Sequence, residues 1–156
     1  MDEISLIGVI SDTHNLLRLE AIDSLKGVDL IIHAGDVCQP QILEELNSIA
    51  PTIAVRGNND KGAWAEKLSF FEIIKVQKVF IYVIHDLKAL NANAVDAEIG
   101  VIISGHSHKP SVENKKGVLY LNPGSAGPRR FKLPVSTARL KISGENIETE
   151  IIELFV

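Results

Sequence analysis

The sequence of 156 residues contains a single cysteine, Cys38, and this scarcity excludes two classes of small protein. A disulfide framework needs paired cysteines, and a cysteine-ligated zinc site needs several. The N-terminus begins Met1-Asp2-Glu3 and lacks a basic segment followed by a long apolar stretch, so we expect no signal peptide. No apolar run approaches the roughly 18 residues that a membrane span needs. We therefore expect a cytoplasmic protein with no membrane partner.

Positive charge is also in short supply. Lysine and arginine total 16 against 20 aspartate and glutamate residues, which gives a formal net charge of −4. A general electrostatic footprint for nucleic acid is absent, so nucleic acid is not an expected partner. Apolar residues make up 46% and charged residues 23% of the chain, as in ordinary folded proteins, so disorder is not expected. The length favours one domain that spans residues 1–156.

Short apolar runs that each end in a small polar cluster recur through the first 105 residues. Runs of this length that are rich in isoleucine and valine are typical of buried strands. They predict strands at Ile4–Ile10, Val28–Ala34, Thr52–Val55, Val79–Ile84 and Ile99–Ser104. Helical spacing of leucine and isoleucine predicts helices at Leu16–Leu25 and Pro40–Ala50, between the first three strands. This alternation indicates parallel pairing with right-handed crossovers.

The second half of the chain predicts hairpins instead. The expected strand pairs are Leu68–Val76 with Val79–Ile84, a pair within Val112–Leu121 and a pair within Pro134–Leu154. The first pair is separated only by Gln77 and Lys78, which are not favoured turn residues. Residues 88–98 predict a short helix or an irregular segment. The fold class that accommodates these elements is α/β, with two sheets packed face to face and flanked by helices.

The predicted strand ends carry side chains of the kinds that bind metal ions. In chain order these are Asp12 and His14, Asp36, Asn58, His85, and His106 and His108. Ligands of open α/β sheets bind beyond the carboxyl ends of the strands, so we expect these side chains to meet. Asp12 and His14 are two residues apart, which on extended backbone points both side chains the same way. Glycines precede Asp36, Asn58 and His106 and let the backbone approach closely there.

A set of this size is too large for one tetrahedral ion. It suits two ions of four or five ligands each, if one carboxylate bridges them. Mixed imidazole and carboxylate donors favour Mn²⁺, iron, Zn²⁺ or Co²⁺ over Ca²⁺ and Mg²⁺. Two such ions about 3.5–4 Å apart form a clamp for in-line displacement at phosphorus. The residues therefore predict a dinuclear centre suited to phosphate ester chemistry.

Several short motifs occur in a fixed order along the chain. They are Asp12-x-His14, Gly35-Asp36, Gly57-Asn58, His85, Gly105-His106-Ser107-His108 and Asn122-Pro123-Gly124-Ser125. Together they resemble the motifs of the calcineurin-like metallophosphoesterases, and in particular the small single-domain phosphodiesterase branch. The resemblance extends from Ile4 to the last predicted hairpin. It implies a four-layer α/β/β/α sandwich of two mixed sheets flanked by helices, in agreement with the fold class predicted above.

The resemblance also implies how the site is divided and what it does. The implied ligands are Asp12, His14 and His108 for one ion, Asn58, His85 and His106 for a second, and Asp36 as the bridge. A hydroxide between the ions would attack phosphorus in line, with Asp36, Asn58 and His85 as catalytic residues. The implied substrate is a small phosphodiester or an activated phosphomonoester. The implied cofactors are two divalent ions, with Mn²⁺ favoured over Ni²⁺, iron, Zn²⁺ and Co²⁺.

Two positions depart from the family pattern. Many members have a histidine after the Gly-Asn pair to protonate the leaving oxygen, whereas this chain has Asn59. An amide cannot act as a general acid, so the source of that proton is left open. Asp86 stands where members usually have glycine, and it either tolerates left-handed backbone or adds charge beside the second ion. We assign substrate binding to Arg56 and Asn59, which flank the Gly-Asn pair.

Plainer interpretations exist for some of these residues. Asp12 and Asp36 each precede a predicted helix and could act as its N-cap, although the full set of side chains favours metal binding. His33 matches no ligand position, and we interpret it as a buried, hydrogen-bonded histidine. Trp64 and the Phe70–Phe71 pair follow the polar loop after the third strand, and they favour the interface of a homodimer over a place in the core.

Two other functions compete with a phosphoesterase. A non-catalytic scaffold is the main alternative, because the eukaryotic retromer subunit that resembles this family binds other proteins. A nuclease is the second, but the DNA-repair nucleases of the superfamily carry extra domains and the histidine that Asn59 replaces here.

Overall fold

The structure, a computed structural model, describes residues 3–91 and 98–156. Its strands are β1 (Ser5–Ile10), β2 (Leu30–His33), β3 (Thr52–Ala54), β4 (Phe71–Val76), β5 (Val79–Ile84), β6 (Ile99–Ile103), β7 (Ser111–Lys115), β8 (Val118–Asn122), β9 (Ser136–Ser143) and β10 (Asn146–Glu153). Its helices are α1 (Leu19–Ser24), α2 (Pro40–Asn47), α3 (Ala63–Glu66) and a 3-10 helix at Leu87–Ala89. Among the described residues, no helix has the length and apolar character that crossing a membrane requires.

The first sheet has the strand order β10-β9-β1-β2-β3 and contains the parallel strands predicted from the first half of the chain. β1, β2 and β3 run parallel, and the β9–β10 hairpin extends the sheet beside β1. Ile10 on β1 pairs with His33 on β2, and His33 pairs with Ala54 on β3. The three parallel strands therefore end at the same level, with the loops that follow them side by side.

The second sheet has the strand order β4-β5-β6-β8-β7. β5, β6 and β8 run parallel, while β4 and β7 pair antiparallel with their neighbours at the two edges. The three hairpins predicted for the second half of the chain are therefore confirmed, two in this sheet and one in the first.

Gln77 lies in the turn of the β4–β5 hairpin, although glutamine is not a favoured residue for such a turn. Its backbone is left-handed, with φ of 53°. Its side-chain nitrogen donates to Ser5 Oγ and Ile142 O, both at 3.0 Å, and its side-chain oxygen accepts from Gly144 N at 2.6 Å. The hairpin turn is therefore tied to the first sheet, and these long-range bonds offset its weak local preference.

The layers of the molecule match the predicted sandwich. Buried aliphatic side chains from both sheets form the central core between them. A second core, which includes Leu25, Ile31 and Leu46, joins α1 and α2 to the outer face of the first sheet. The two mixed sheets and their flanking helices confirm the predicted fold class. On the outer face of the second sheet, Leu90, which follows the 3-10 helix, packs against the buried side chains of the sheet within the described part of the chain.

Some local boundaries differ from the prediction. α1 begins at Leu19 rather than at Leu16, because Leu16 N donates to Thr13 O at 2.8 Å in a turn that belongs to the loop after β1. α3 has no counterpart among the predicted elements. It carries Trp64, which was expected at an interface and is partly buried against the helix-side core. Of the segment predicted at 88–98, residues 92–97 lie outside the described residues.

His33 ends β2, is fully buried and joins the loops that follow β1 and β2. Gly35 N donates to His33 Nδ1 at 3.1 Å, so the ring proton is on Nε2. Nε2 donates to Thr13 Oγ1 at 3.0 Å, and this hydroxyl donates to Val37 O at 3.3 Å. The interpretation as a buried, hydrogen-bonded histidine is confirmed. Burial lowers the pKa of His33 to about 4, so the ring is neutral at pH 7.

We expect His33 to make the free energy of unfolding depend on pH. The unfolded chain takes up this proton near the ordinary pKa of 6.5, whereas the folded chain resists it down to about 4. The stabilisation is therefore fully present above pH 6.5 and is lost as the pH falls through this window, by on the order of 3 kcal/mol. Urea unfolding of the metal-free protein measures the effect, with His33→Gln as the comparison. A wild-type-minus-variant difference that stays constant with pH would contradict it.

Candidate metal centre

Side chains from both sheets converge where the sheets meet at the carboxyl ends of their parallel strands. The first sheet contributes the loops after β1, β2 and β3, which carry Asp12, His14, Asp36 and Asn58. The second sheet contributes the loops after β5 and β6, which carry His85, His106 and His108. Two groups have candidate ligand atoms that all lie within 4.8 Å of one another, namely Asp12, His14 and His108, and Asp12, Asp36 and His85. Each group could hold a metal ion.

The loops reach this arrangement through left-handed rather than extended backbone. The φ angle is positive at Asp12 (55°), His14 (44°), Asp36 (58°), His106 (69°) and His108 (63°). The expectation that Asp12 and His14 point the same way because their backbone is extended is therefore wrong. Hydrogen bonds between neighbouring loops hold the conformation, such as His14 N donating to Asp36 O at 3.0 Å. Strained backbone of this kind, at about 1–3 kcal/mol per residue, is concentrated at functional sites.

The two carboxylate oxygens of Asp12, a fully buried residue, differ in their surroundings. Oδ2 accepts from the hydroxyl of the preceding serine at 2.6 Å and from His106 N at 3.0 Å. Oδ1 has no hydrogen-bond partner and lies 3.4 Å from His108 Nε2, 3.7 Å from His14 Nε2 and 3.8 Å from His85 Nε2. Burial alone would raise the pKa of Asp12, but the His108 and His14 imidazoles outweigh it and hold the pKa well below its usual range. Asp12 is therefore ionised, with one oxygen free.

Asp36 is the second buried carboxylate, and Asn59 holds it on both oxygens. Asn59 N donates to Asp36 Oδ1 at 2.8 Å, and the Asn59 side-chain amide donates to Oδ2 at 2.9 Å. Oδ2 also lies 3.3 Å from His85 Nε2 and 3.6 Å from His14 Nε2, so it faces an imidazole from each sheet. Although burial disfavours the charged form, His85 and the Asn59 hydrogen bonds lower the pKa of Asp36 to about 2.

The ring of His85 is oriented so that one nitrogen faces these carboxylates. Its Nδ1 lies 2.7 Å from Ala34 O, and because a carbonyl oxygen only accepts, Nδ1 carries the proton. In the neutral ring Nε2 then carries a lone pair that is available to a metal ion, and it lies 3.1 Å from Asn58 Oδ1. Burial would lower the pKa of His85, but the Asp36 and Asp12 carboxylates outweigh it and raise the pKa. A backbone carbonyl that sets the tautomer in this way is a common support for metal-binding histidines.

Unpaired buried atoms test whether these residues fit a metal ion. Among the described residues, the buried side-chain atoms without a hydrogen-bond partner are Asp12 Oδ1, His14 Nε2 and His108 Nδ1. A buried polar atom left unpaired costs about 1–3 kcal/mol. All three residues belong to one group of candidate ligands, and carboxylate oxygen with imidazole nitrogen is a donor set that suits divalent transition metals. The residues therefore fit a metal ion, which would satisfy Asp12 Oδ1 and His14 Nε2, while His108 faces Asp12 through its other ring nitrogen, Nε2.

The outer end of the site is formed by His106. Its side chain is 46% exposed, and its ring meets the His85 ring edge-on at 5.2 Å. His106 Nε2 lies 3.9 Å from Asp86 Oδ2. Asp86 has φ of −108°, which excludes the left-handed interpretation of this residue, and its other oxygen accepts from Lys88 N at 3.0 Å. Asp86 therefore adds negative charge beside His106.

Asp60 is not identified by the strand-end pattern, but it accepts hydrogen bonds from the backbone of two loops that carry candidate ligands. Its buried carboxylate accepts from Gly57 N at 2.8 Å, Asp36 N at 3.0 Å and Cys38 N at 2.7 Å. It therefore ties the loop after β3 to the loop after β2. A Cβ on Gly57 would lie 2.9 Å from Asp36 Cγ, so only glycine permits this approach. The signal in the sequence is the run Gly57-Asn58-Asn59-Asp60, which is rich in residues that bond nearby backbone.

The Asn122–Ser125 turn lies against the other side of the site. The Asn122 amide donates to Gly105 O at 3.0 Å, and Ser125 Oγ donates to Asp12 O at 3.1 Å. A Cβ on Gly105 would lie 2.7 Å from Asp12 Oδ2, so glycine is required here as well. The turn therefore fixes two of the loops that carry the candidate ligands.

Two grooves flank His85 and His106, and Asp86 borders both. The polar groove has a volume of about 600 Å³, and its lining includes Lys88, His106, Lys115, Asn122 and Arg130. The aromatic groove has a volume of about 470 Å³, and its lining includes Arg56, Asn58, Phe70, Phe71, Tyr82 and His85. Arg56, expected at the substrate, thus borders a groove beside the site.

Comparisons with known proteins show the family of the chain. Residues 6–145 match the family model of the calcineurin-like phosphoesterase superfamily domain. The chain is 38% identical to a probable metallophosphoesterase of Methanothermobacter thermautotrophicus, over 94% of this chain and 91% of that protein. It is 29% identical to a phosphodiesterase of Methanocaldococcus jannaschii, over 76% of this chain and 82% of that protein.

Solved structures are similar in fold. An archaeal phosphodiesterase gives a TM-score of 0.78 at 23% identity, over 94% of this chain and 99% of that one. Vacuolar Protein Sorting 29 from Cryptosporidium parvum gives 0.78 at 19% identity, over 99% of this chain and 100% of that one. These likenesses show the fold, whereas the family model and the Methanothermobacter relative show the family. The chain therefore belongs to the calcineurin-like phosphoesterase superfamily.

Proposed function

We propose that the protein is a divalent-metal-dependent phosphoesterase that hydrolyses small phosphodiesters, or activated phosphomonoesters, at a dinuclear centre. The observation that carries the proposal is the pair of buried, ionised carboxylates, Asp12 and Asp36, which face imidazole nitrogens from both sheets. This donor set suits Mn²⁺, with Ni²⁺, iron, Zn²⁺ and Co²⁺ as other candidates. Relatives named metallophosphoesterase and phosphodiesterase support the same class of reaction.

The proposed division of ligands rests on the position of Asp36. Its Oδ2 lies 3.6 Å from His14 Nε2 and 3.3 Å from His85 Nε2, so one oxygen could bind both ions. The proposed ligands are Asp12, His14 and His108 for the first ion, and Asn58, His85 and His106 for the second. Because His106 is half exposed, the second ion lies on the side that substrate can approach.

The chain's own residues prepare this site for a phosphate ester. When bound, two divalent ions lower the pKa of a water molecule and neutralise charge on the phosphoryl oxygens. Asp12 and Asp36 bring two negative charges against the four positive charges of the ions, so the site attracts a phosphate anion although the chain carries −4. The Ala34 carbonyl and the Asn59 amide hold His85 and Asp36 in place, so the ligands need no rearrangement during the reaction.

Asn59 acts on Asp36 in this proposal rather than on the leaving group. Its side-chain amide donates to Asp36 Oδ2 and orients that carboxylate. An amide supplies no acid for the leaving oxygen, so ester bonds with good leaving groups break most easily. Arg56 borders the aromatic groove beside Asn58 and His85, where its positive charge favours a bound phosphodiester.

The alternatives of a scaffold and a nuclease are less well supported. A scaffold that binds no metal would gain nothing from two buried carboxylates, because burying them without compensating positive charge costs free energy. A chain with a net charge of −4 is poorly suited to follow a nucleic acid backbone.

The proposal predicts activity that depends on added metal. We expect the chelator-treated protein not to hydrolyse bis(4-nitrophenyl) phosphate, because the proposed mechanism activates the attacking water only through bound metal ions. Addition of Mn²⁺ or Ni²⁺ should restore turnover. Release of 4-nitrophenolate is measured by absorbance, and Ca²⁺ serves as the control ion. Absence of turnover with every divalent ion tried would overturn the proposal.

Asp36→Asn is expected to lower both metal content and rate. It removes the charge that faces an imidazole from each sheet, and loss of a direct ligand should cost at least the 10- to 100-fold typical of supporting residues, so about 100-fold or more in kcat/KM. Elemental analysis gives the metal content, and the diester assay gives the rate. Asp23→Asn is the matched control, because its side chain on α1 is 68% exposed and pairs with Lys26 rather than with a candidate ligand. Full metal occupancy in Asp36→Asn would contradict the bridging role.

Rates should depend steeply on the leaving group. General acid catalysis typically contributes about 10²- to 10⁴-fold, and Asn59 cannot supply it. We expect kcat/KM to fall strongly along a series of aryl methyl phosphates as the phenol becomes less acidic, with ring size kept constant. A flat dependence on the acidity of the phenol would show that another group protonates the leaving oxygen.

A further inference from the structure

The aromatic groove runs from the candidate metal centre onto the outer face of the second sheet. Asn58 and His85, proposed ligands of the second ion, lie at its inner end. Phe70, Phe71 and Tyr82 line its apolar part. The groove is therefore continuous with the place where phosphorus would bind.

The aromatic wall of the groove is exposed although it is apolar. Phe70 is 63% exposed and Phe71 is 50% exposed. The Phe71 and Tyr82 rings stack with their centroids 5.4 Å apart and an angle of 15° between their planes. Tyr82 is buried, so the exposed part of Phe71 is what this stack leaves free for another planar ring. Residues this exposed contribute little to the core, so packing alone does not account for them.

Arg56 adds a fixed positive charge to the same groove. Its guanidinium lies 5.3 Å from the centre of the Phe70 ring, and its Nε donates to Asp60 O at 3.1 Å. Asp60 also holds the backbone of Asp36 and Gly57, so Arg56 is anchored to the loops that carry the site. A phosphodiester anion at the centre would lie beside this cation, which gives the groove charge complementarity to that substrate.

Asp86 restricts what the rest of the ligand can be. Its carboxylate borders the groove on the side of His106, 3.9 Å from His106 Nε2. A second phosphate or another anionic group in the groove would meet this negative charge. A neutral group would contact the apolar wall without this repulsion, and Arg56 could then interact with the phosphodiester anion.

We propose that this groove is a subsite for a neutral, planar aromatic ester arm of the phosphodiester substrate, with Phe70, Phe71 and Arg56 as specificity-determining residues. The assignment rests on the proposed function, because it takes the phosphorus to lie at the metal centre. The aromatic surface is thus a substrate site and not the interface of a homodimer.

The test compares two phosphodiester anions that differ only in their arms. Calorimetric titration of the Mn²⁺-loaded protein with diphenyl phosphate and with dimethyl phosphate gives two affinities without requiring turnover. We expect diphenyl phosphate to bind at least about fivefold more tightly, since stacking on an aromatic surface is typically worth this much or more. Phe70→Ala and Phe71→Ala should each reduce this ratio. Phe155→Ala is the matched control, because Phe155 is 90% exposed and does not line the groove, and it should leave the ratio unchanged.

The outcomes separate the subsite from the proposed function. Equal affinities for the two anions, in protein that hydrolyses bis(4-nitrophenyl) phosphate, would overturn the subsite alone. An aromatic preference that the Phe70→Ala and Phe71→Ala variants lose, in protein without turnover under any metal, would support the groove and overturn the proposed hydrolysis. Sedimentation of the same variants covers the remaining case, because conversion of a dimer to a monomer with an unchanged affinity ratio would assign the surface to a second copy and overturn the subsite.

Discussion

The burial of two ionised carboxylates, Asp12 and Asp36, is the constraint on which the rest of the site depends. Like charges removed from water repel each other and are costly unless positive charge and hydrogen bonds compensate them. The chain places the imidazoles of His14, His85 and His108 around Asp12 Oδ1 and Asp36 Oδ2, at 3.3–3.8 Å. Unpaired atoms still remain, on Asp12 and on two of these rings. Divalent cations would supply the missing positive charge, so in the proposed function the metal is part of the electrostatic balance of the site.

The loops that carry these charged side chains are held in place by hydrogen bonds from the backbone and from side chains that are not candidate ligands. His33 joins the loops after β1 and β2, Asp60 joins those after β2 and β3, and Asn122 fixes the loop after β6. These bonds keep several residues in left-handed backbone that would otherwise relax. The same supports reach outward, because Asp60 anchors Arg56 at the aromatic groove. In the proposed function, metal binding and substrate selection therefore depend on the same hydrogen-bonded loops.

The periodicity of apolar residues was sufficient to predict most strands and the sandwich of two sheets. The sequence also predicted that side chains at the strand ends lie together, because parallel strands deliver the residues at their carboxyl ends to one place. Five of them, Asp12, His14, Asp36, His85 and His108, lie in the two candidate groups. The left-handed φ of Asp12 and His14 could not be predicted, since it depends on hydrogen bonds to a loop about 20 residues away. The hydrogen bonds of Asp60 and Gln77 could not be predicted either, because they also join residues that are far apart in the sequence. Spacing identifies what a residue is able to bind, whereas tertiary contacts decide what holds it there.

Anomalous diffraction from crystals of the Mn²⁺-loaded protein, recorded at the manganese absorption edge, shows whether two ions bind at the candidate centre. We expect two peaks about 3.5–4 Å apart on either side of the Asp36 carboxylate. One peak should lie among Asp12, His14 and His108, and the other among Asn58, His85 and His106. A single peak in the cluster, or peaks only at other places on the protein, would contradict the dinuclear centre.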